Sequence, residues 1–214
     1  HEEIGYRKDR SVFIANGYNT AAFGPSDEAK QSVRAELGLP ENALLVGRFG
    51  RFAAMKDFGC FIDAAALVRQ SIPDVHFVLV GTGVDTRNEE LMDHIARSGL
   101  SASMHVLGER SDMPRITASL DVACSSSAYG EGFPNVIGEA MSCAVPCVAT
   151  DVGDSAWVIG KTGRIVPAKS PQDLSEGLLS VLTMGNDERK ALGEAARNRV
   201  MESFSLTSVV RRYE

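Results

Sequence analysis

The sequence predicts an α/β protein built on a Rossmann-like, doubly wound parallel sheet with helices on both faces. Three observations lead there. Short apolar runs of strand length alternate with longer helical patterns along most of the chain. Those runs are continuously apolar and do not alternate with polar residues, as expected for strands covered on both faces. Strand, helix and strand then recur several times, which is how parallel βαβ units are written in sequence.

The elements follow in order. A stretch of small and turn-forming residues, IANGYNTAAFGPS, precedes a helix expected near 27–37. Residues 44–50 (LLVGRFG) read as a buried strand and 58–71 as the helix after it. Residues 75–80 (VHFVLV) form the next strand, with Gly81-Thr82-Gly83 behind it and a helical segment near 87–98. A strand at 104–107, a short helix near 112–119 and a strand at 121–124 continue the alternation. A helix near 134–143 and a strand at 145–149 extend it, and residues 162–167 read as a short strand ending in a turn. Two helices close the pattern near 171–184 and 187–202, the first with Ser170 as candidate N-cap and Pro171 in its first turn. Residues 1–25 read as a connector from something upstream and residues 26–214 as the domain. The ending SVVRRYE carries no capping signal, so an excised domain is expected.

Bulk properties narrow the function. The 214 residues suffice for one well-packed domain. With 44% hydrophobic and 23% charged residues the composition is that of an ordinary soluble protein, and no apolar run approaches a membrane span. The amino-terminal HEEIGYRKDR lacks the layout of a signal peptide. A net charge of −6 argues against a nucleic-acid surface, but local cations and backbone amides can still bind a small anion. Cys60, Cys124, Cys143 and Cys147 include no Cys-x-x-Cys pair, so buried, reduced thiols in a cytosolic protein are expected. The histidines are scattered. Neither His76 nor His105 has a second ligand at metal-site spacing, so no metal is expected and both read as structural.

The chemistry-bearing segment is Tyr129-Gly130-Glu131-Gly132-Phe133-Pro134-Asn135-Val136-Ile137-Gly138-Glu139-Ala140. It leaves a strand and enters a helix, so it lies at the carboxyl edge of the sheet, where open α/β folds bind ligands. Free N–H groups and the helix dipole there suit a phosphate, and the two glycines let backbone approach a ligand closely. Glu139, one turn into the helix, can accept two hydrogen bonds from a vicinal diol. Glu131, on the loop, can face another part of the same ligand. Set against this, each glutamate could be an ordinary solvated acid, and Phe133 a staple that packs the loop onto the sheet.

A second constellation, Gly47-Arg48-Phe49-Gly50-Arg51-Phe52-Ala53-Ala54-Met55-Lys56-Asp57, follows the first strand on the same edge. Arg51 and Lys56 could neutralise a diphosphate or simply decorate a surface loop. Arg48 falls inside the strand pattern, either paired to a carboxylate or at the strand's edge. Gly81-Thr82-Gly83 superficially resembles a dinucleotide fingerprint, but it follows the second strand and lacks a third glycine, so the NAD reading is rejected.

Taken together these segments resemble the C-terminal domain of the retaining glycosyltransferases of family four, one of the two Rossmann-like domains of the GT-B fold. Asn16 to Phe23 resembles that family's interdomain connector, Gly50-Arg51 to Lys56-Asp57 its diphosphate-binding Arg and Lys, and Glu131 to Ala140 its pair of glutamates separated by seven residues. Val145-Pro146 to Gly153 is similar to the segment that follows. The resemblance implies a catalytic set of Glu131 on the transferred sugar with Arg51 and Lys56 on the phosphates, offsetting charge on the leaving nucleoside diphosphate. It implies Glu139 on the ribose, and Gly132, Phe133, Pro134, Asn135 and Val136 around the sugar and β-phosphate. Glu109 and Arg110 match the loop that meets the nucleobase. No cofactor or metal is implied; the nucleoside-diphosphate sugar is the substrate. The acceptor site would belong to an N-terminal domain that this chain lacks, so the fragment would bind donor without turnover. A cytoplasmic location is implied, and any membrane association would belong to the parent at the inner face of the membrane and not to this domain. The other readings are a nucleotide-binding regulatory module without catalysis, or half of a sugar-nucleotide epimerase or a phosphorylase. One departure stands out: the family has glycine where this chain has Ala144.

Overall fold

The computed structural model describes residues 15–212. Six strands, β1 (Leu45–Phe49), β2 (His76–Val80), β3 (Met104–Val106), β4 (Val122–Ser125), β5 (Cys147–Thr150) and β6 (Gly163–Val166), form one sheet in the order β3-β2-β1-β4-β5-β6. Every pairing is parallel, with Val46 opposite Phe77 on one side of β1 and opposite Val122 on the other. The chain first winds outward from β1 to β3, then crosses to β4 and winds the opposite way. The order reverses between β1 and β4, so the loops leaving those strands diverge and open a crevice at the sheet's carboxyl edge.

The helices divide between the two faces. α1 (Asp27–Glu36), α4 (Met113–Ala118), α5 (Asn135–Ser142), α6 (Ser155–Ile159) and α8 (Asn186–Ser203) contribute Val33, Ile116, Ile137, Met141, Val158 and Val200 to one apolar cluster. α2 (Phe58–Ser71), α3 (Glu89–Arg97) and α7 (Pro171–Leu182) contribute Phe61, Ile95 and Leu178 to the other. The strands serve both clusters by turns: Phe77 and Leu79 face α2, while Val78 and Val80 face the opposite side. This two-sided burial explains the unbroken apolar runs. Helix starts are capped locally, as where Ser26 accepts from the Ala29 amide at 3.1 Å and Ser170 from Asp173 at 3.3 Å.

Two short helices, α6 and α9 (Leu206–Val210), were not expected from the sequence; five residues give no usable periodicity. Part of the expected connector is core. Tyr18 bridges to the α8–α9 junction, its amide donating to the Phe204 carbonyl at 2.8 Å and its carbonyl accepting from Leu206 at 3.0 Å. Its ring covers Gly138, where a Cβ would come within 1.9 Å of the ring. Residues 1–14 of the expected connector lie outside the described residues, as do residues 213–214.

The four cysteines are buried free thiols, and burial pushes Cys60, Cys124 and Cys143 up to about 12. His76 and His105, distant in sequence, meet in the fold. Parallel pairing of β2 with β3 sets His105 Nε2 at 3.2 Å from His76 Nδ1, across 29 residues of sequence. Among the described residues no group of three or more His, Cys, Asp or Glu could hold a metal, and no helix is long and apolar enough to cross a membrane.

Ala144 has φ 57°, in the left-handed region, and its carbonyl packs against α8, where a Cβ on Gly193 would lie 2.0 Å away. An alanine there strains the backbone. Ala144→Gly should therefore stabilise the chain by about 1 kcal/mol in urea denaturation; an unchanged or lower midpoint would contradict the strain.

Candidate functional site

The crevice is organised around Arg48, which is fully buried in the central strand. Its guanidinium donates to the Phe49 carbonyl at 2.6 Å, to the Lys56 carbonyl and to Ser126 Oγ at 3.2 Å, and it lies 4.1 Å over the Phe58 ring. Arg48 is thus neither at a sheet edge nor ion-paired; carbonyl oxygens and a π face satisfy the buried cation. Burial lowers its pKa to about 10, which still leaves it charged at neutral pH. The effect is to fold the β1–α2 loop back on its own strand. That loop makes a 3-10 turn at Ala54–Lys56 and ends at Asp57, whose left-handed backbone and side chain cap α2 through the Cys60 amide at 3.0 Å.

Neighbouring loops lock onto it. The Ser126 hydroxyl reaches the Lys56 and Asp57 carbonyls at 3.1 and 3.0 Å, and the Ala128 amide donates to Met55 at 2.9 Å. On the other side the Phe52 amide donates to Thr82 at 2.8 Å. Gly81 permits that approach, since a Cβ there would lie 2.0 Å from the Gly50 carbonyl oxygen. The glycine turn after β2 therefore packs loop against loop.

With its backbone fixed, Lys56 places its ammonium on Glu131 Oε1, which also accepts the Ser127 hydroxyl at 2.5 Å. Burial alone would raise the Glu131 pKa, but Lys56 and Ser127 together outweigh it and hold the carboxyl below its ordinary value. The Glu131–Gly132 backbone rests on Gly153 (φ 59°), where a Cβ would lie 2.2 Å from the Glu131 carbonyl oxygen, and Gly132 accepts from the Asp154 amide at 3.2 Å. Phe133 stacks on Tyr18 at 5.5 Å and meets Phe204 edge-on at 5.8 Å, so its side chain is the staple. Pro134 precedes α5, its carbonyl accepting from Tyr18 Oη at 3.3 Å. No side chain caps α5, and the amides of Asn135 and Val136 have no acceptor among the described residues.

Glu139, one turn further on, is partly buried, and its carboxyl makes no hydrogen bond or ion pair with a described residue; burial pushes it up to about 7. Arg51 is exposed on the β1–α2 loop, its guanidinium 3.7 Å from the Met55 sulfur. Glu109 is exposed beyond β3. Arg110 beside it is committed to a forked pair with Asp112 at 2.9 and 3.0 Å and to Glu36 at 3.0 Å, which leaves backbone as what this loop can offer a ligand. The structure therefore joins Lys56 to Glu131 directly and sets Arg51, Glu139 and Glu109 along the same carboxyl edge. Sequence reasoning missed Arg48 as the organiser, and Ser126, Ser127 and Gly153 as supports. The serine run directly after β4 was the available signal. A groove of about 400 Å³ lined by Lys30, Asp121, Arg189 and Arg197 lies at the sheet's opposite edge and borders none of these residues.

A 3-2-1-4-5-6 parallel sheet with paired charges at its switch point defines a Rossmann-like α/β domain of the ligand-binding kind. Residues 41–184 match the family model for glycosyl transferases group 1, and the chain belongs to that family. It is 30% identical over 211 residues to the lipopolysaccharide core biosynthesis mannosyltransferase LpsB of Rhizobium meliloti, covering 94% of this chain and 58% of that protein. It is 32% identical over 217 residues to the phosphatidyl-myo-inositol mannosyltransferase of Mycobacterium tuberculosis, covering 95% and 54%. Among solved structures, Anabaena Alr3699/HepE in complex with UDP and glucose superposes with a TM-score of 0.87 at 26% identity, covering 99% of this chain and 58% of that one. The C-terminal domain of the group 1 glycosyl transferase LpcC of Francisella tularensis superposes at 0.77 with 25% identity, covering 89% of this chain and all of that one. The fold is thus that of a C-terminal GT-B domain of family-four type, and the chain spans little more than half the length of the curated relatives it matches.

The Glu139 environment gives a pH signature. Its folded pKa of about 7 exceeds the ordinary 4.5, so between those values the folded state holds a proton that the unfolded state has lost. Stability contributed at low pH is then lost as pH rises through this window. Denaturation at pH 5 and pH 7.5 should show Glu139→Gln losing less stability than the wild type; equal slopes would contradict the buried carboxyl.

Proposed function

We propose that this chain is the donor-binding half of a retaining glycosyltransferase that transfers a sugar from a nucleoside-diphosphate sugar to an acceptor. The observation that carries this reading is the convergence of Lys56, Glu131 and the uncapped start of α5 on the crevice between β1 and β4. An ammonium and open helix amides suit a diphosphate, and carboxylates suit sugar hydroxyls. Membership of the group 1 family and the UDP and glucose of a structural neighbour support the same reading.

In this account Lys56 and Arg51 meet the phosphates and offset the charge that grows on the leaving diphosphate. The amides around Gly132, Asn135 and Val136 assist them. Glu131 accepts from hydroxyls of the transferred sugar, and Glu139, with no donor of its own, accepts from the ribose diol. The backbone at Glu109 and Arg110 meets the base. No metal or cofactor takes part, and the acceptor is held by a second domain across the cleft. The enzyme would work in the cytoplasm.

A thermal-shift panel of UDP, GDP, ADP and NAD tests this. One nucleoside diphosphate should stabilise the chain, by about 2.7 kcal/mol at 100 times its Kd. Lys56→Ala should abolish the response and Glu139→Ala should weaken it, whereas Glu131→Ala should keep it. Stabilisation by NAD alone would overturn the reading. The 214-residue chain should show no sugar transfer in an assay where a full-length relative turns over; robust turnover would remove the need for a second domain.

A further inference from the structure

Two ligands compete for Lys56. In the structure its ammonium lies on Glu131 Oε1, the same oxygen that takes the Ser127 hydroxyl at 2.5 Å. The two side chains are only 19% and 11% exposed, so water and salt screen the pair poorly. Hydrogen bonds and close packing hold their backbones in place. Arg48 and Ser126 hold the Lys56 carbonyl, Ala128 holds that of Met55, and Gly153 backs that of Glu131. The Lys56 side chain can still swing.

A diphosphate that engages that ammonium shares it or draws it away, leaving a mostly buried carboxylate with Ser127 as its one other donor among the described residues. Leaving a buried charge without its partner is strongly unfavourable. A bare nucleoside diphosphate offers Glu131 nothing in return and adds negative charge nearby. A nucleotide sugar brings hydroxyl donors that can replace the ammonium.

We infer that Glu131 is a specificity-determining residue: by competing with phosphate for Lys56 it makes the crevice favour nucleotide sugars over bare nucleoside diphosphates. The same competition drives release of the diphosphate once the sugar has gone. This rests on the donor-site reading given under Proposed function.

Calorimetric titration with UDP and UDP-glucose, and in parallel with GDP and GDP-mannose, tests it. Glu131→Gln should bind the diphosphate about tenfold more tightly than the wild type, equivalent to about 1.4 kcal/mol, and the preference for the sugar-bearing ligand should fall at least as far. Asp154→Asn, which removes another acid from the same edge of the sheet, should leave diphosphate affinity unchanged. Unchanged or weaker diphosphate binding by Glu131→Gln, or equal tightening by Asp154→Asn, would overturn the inference. If Glu131→Gln does not fold, the carboxyl ¹³C titration of Glu131 in the wild type decides. Its pKa should rise more with UDP than with UDP-glucose, and equal values would overturn the competition. If no nucleoside diphosphate binds, or Lys56→Ala binds as the wild type does, the donor-site reading fails and takes the inference with it. If binding requires Lys56 but Glu131→Gln gains nothing, the inference alone fails.

Discussion

A guanidinium buried in the central strand sets the geometry of the crevice. Arg48 sits where the apolar pattern of β1 calls for a hydrophobic side chain, and it meets no carboxylate. A buried cation is tolerated only where other groups replace its hydration, and here two backbone carbonyls, a hydroxyl and the Phe58 ring do so. Each of these partners belongs to a segment that must be shaped. The Phe49 and Lys56 carbonyls close the β1–α2 loop, and Ser126 ties it to the end of β4. One residue thereby joins the two strands between which the sheet reverses its order.

The charges at the mouth follow from that frame. An acidic chain of net charge −6 concentrates cations in the β1–α2 loop and leaves the first turn of α5 uncapped opposite them. The two glutamates of the α5 segment occupy different environments. Glu131 is held ionised by Lys56 and Ser127, whereas burial drives Glu139 toward its neutral form. Such divergence suits two different ligand groups better than an acid/base pair. The aromatic cluster of Tyr18, Phe133, Trp157 and Phe204 packs behind this segment and fixes the entry to α5.

Much of the fold was legible because it depends on local pattern. Helix α2 spans the residues its periodicity marks, and the strands differ from expectation by one or two residues at their ends. The site was legible as a set of residue types on one sheet edge, since βα loops in a parallel sheet must lie there. Its contacts were not. Lys56 and Glu131 are 75 residues apart, His76 and His105 29, and only strand pairing brings either pair together. Arg48 read as an anomaly because sequence shows an isolated charge and hides the carbonyls that satisfy it. Tyr18 read as connector for a similar reason: the glycine it covers, Gly138, lies on a distant helix. Ala144, where the family has glycine, has a left-handed backbone at φ 57°.

The crevice between β1 and β4 is the proposed site for a nucleoside diphosphate. Backbone amide NMR shifts during titration with UDP, or with GDP if UDP does not bind, address it most directly. The largest shifts should fall on Gly50 to Asp57 and Gly130 to Val136, at the carboxyl edge of the sheet. Shifts centred instead on the opposite edge, around Lys30, Asp121 and Arg189, would contradict it.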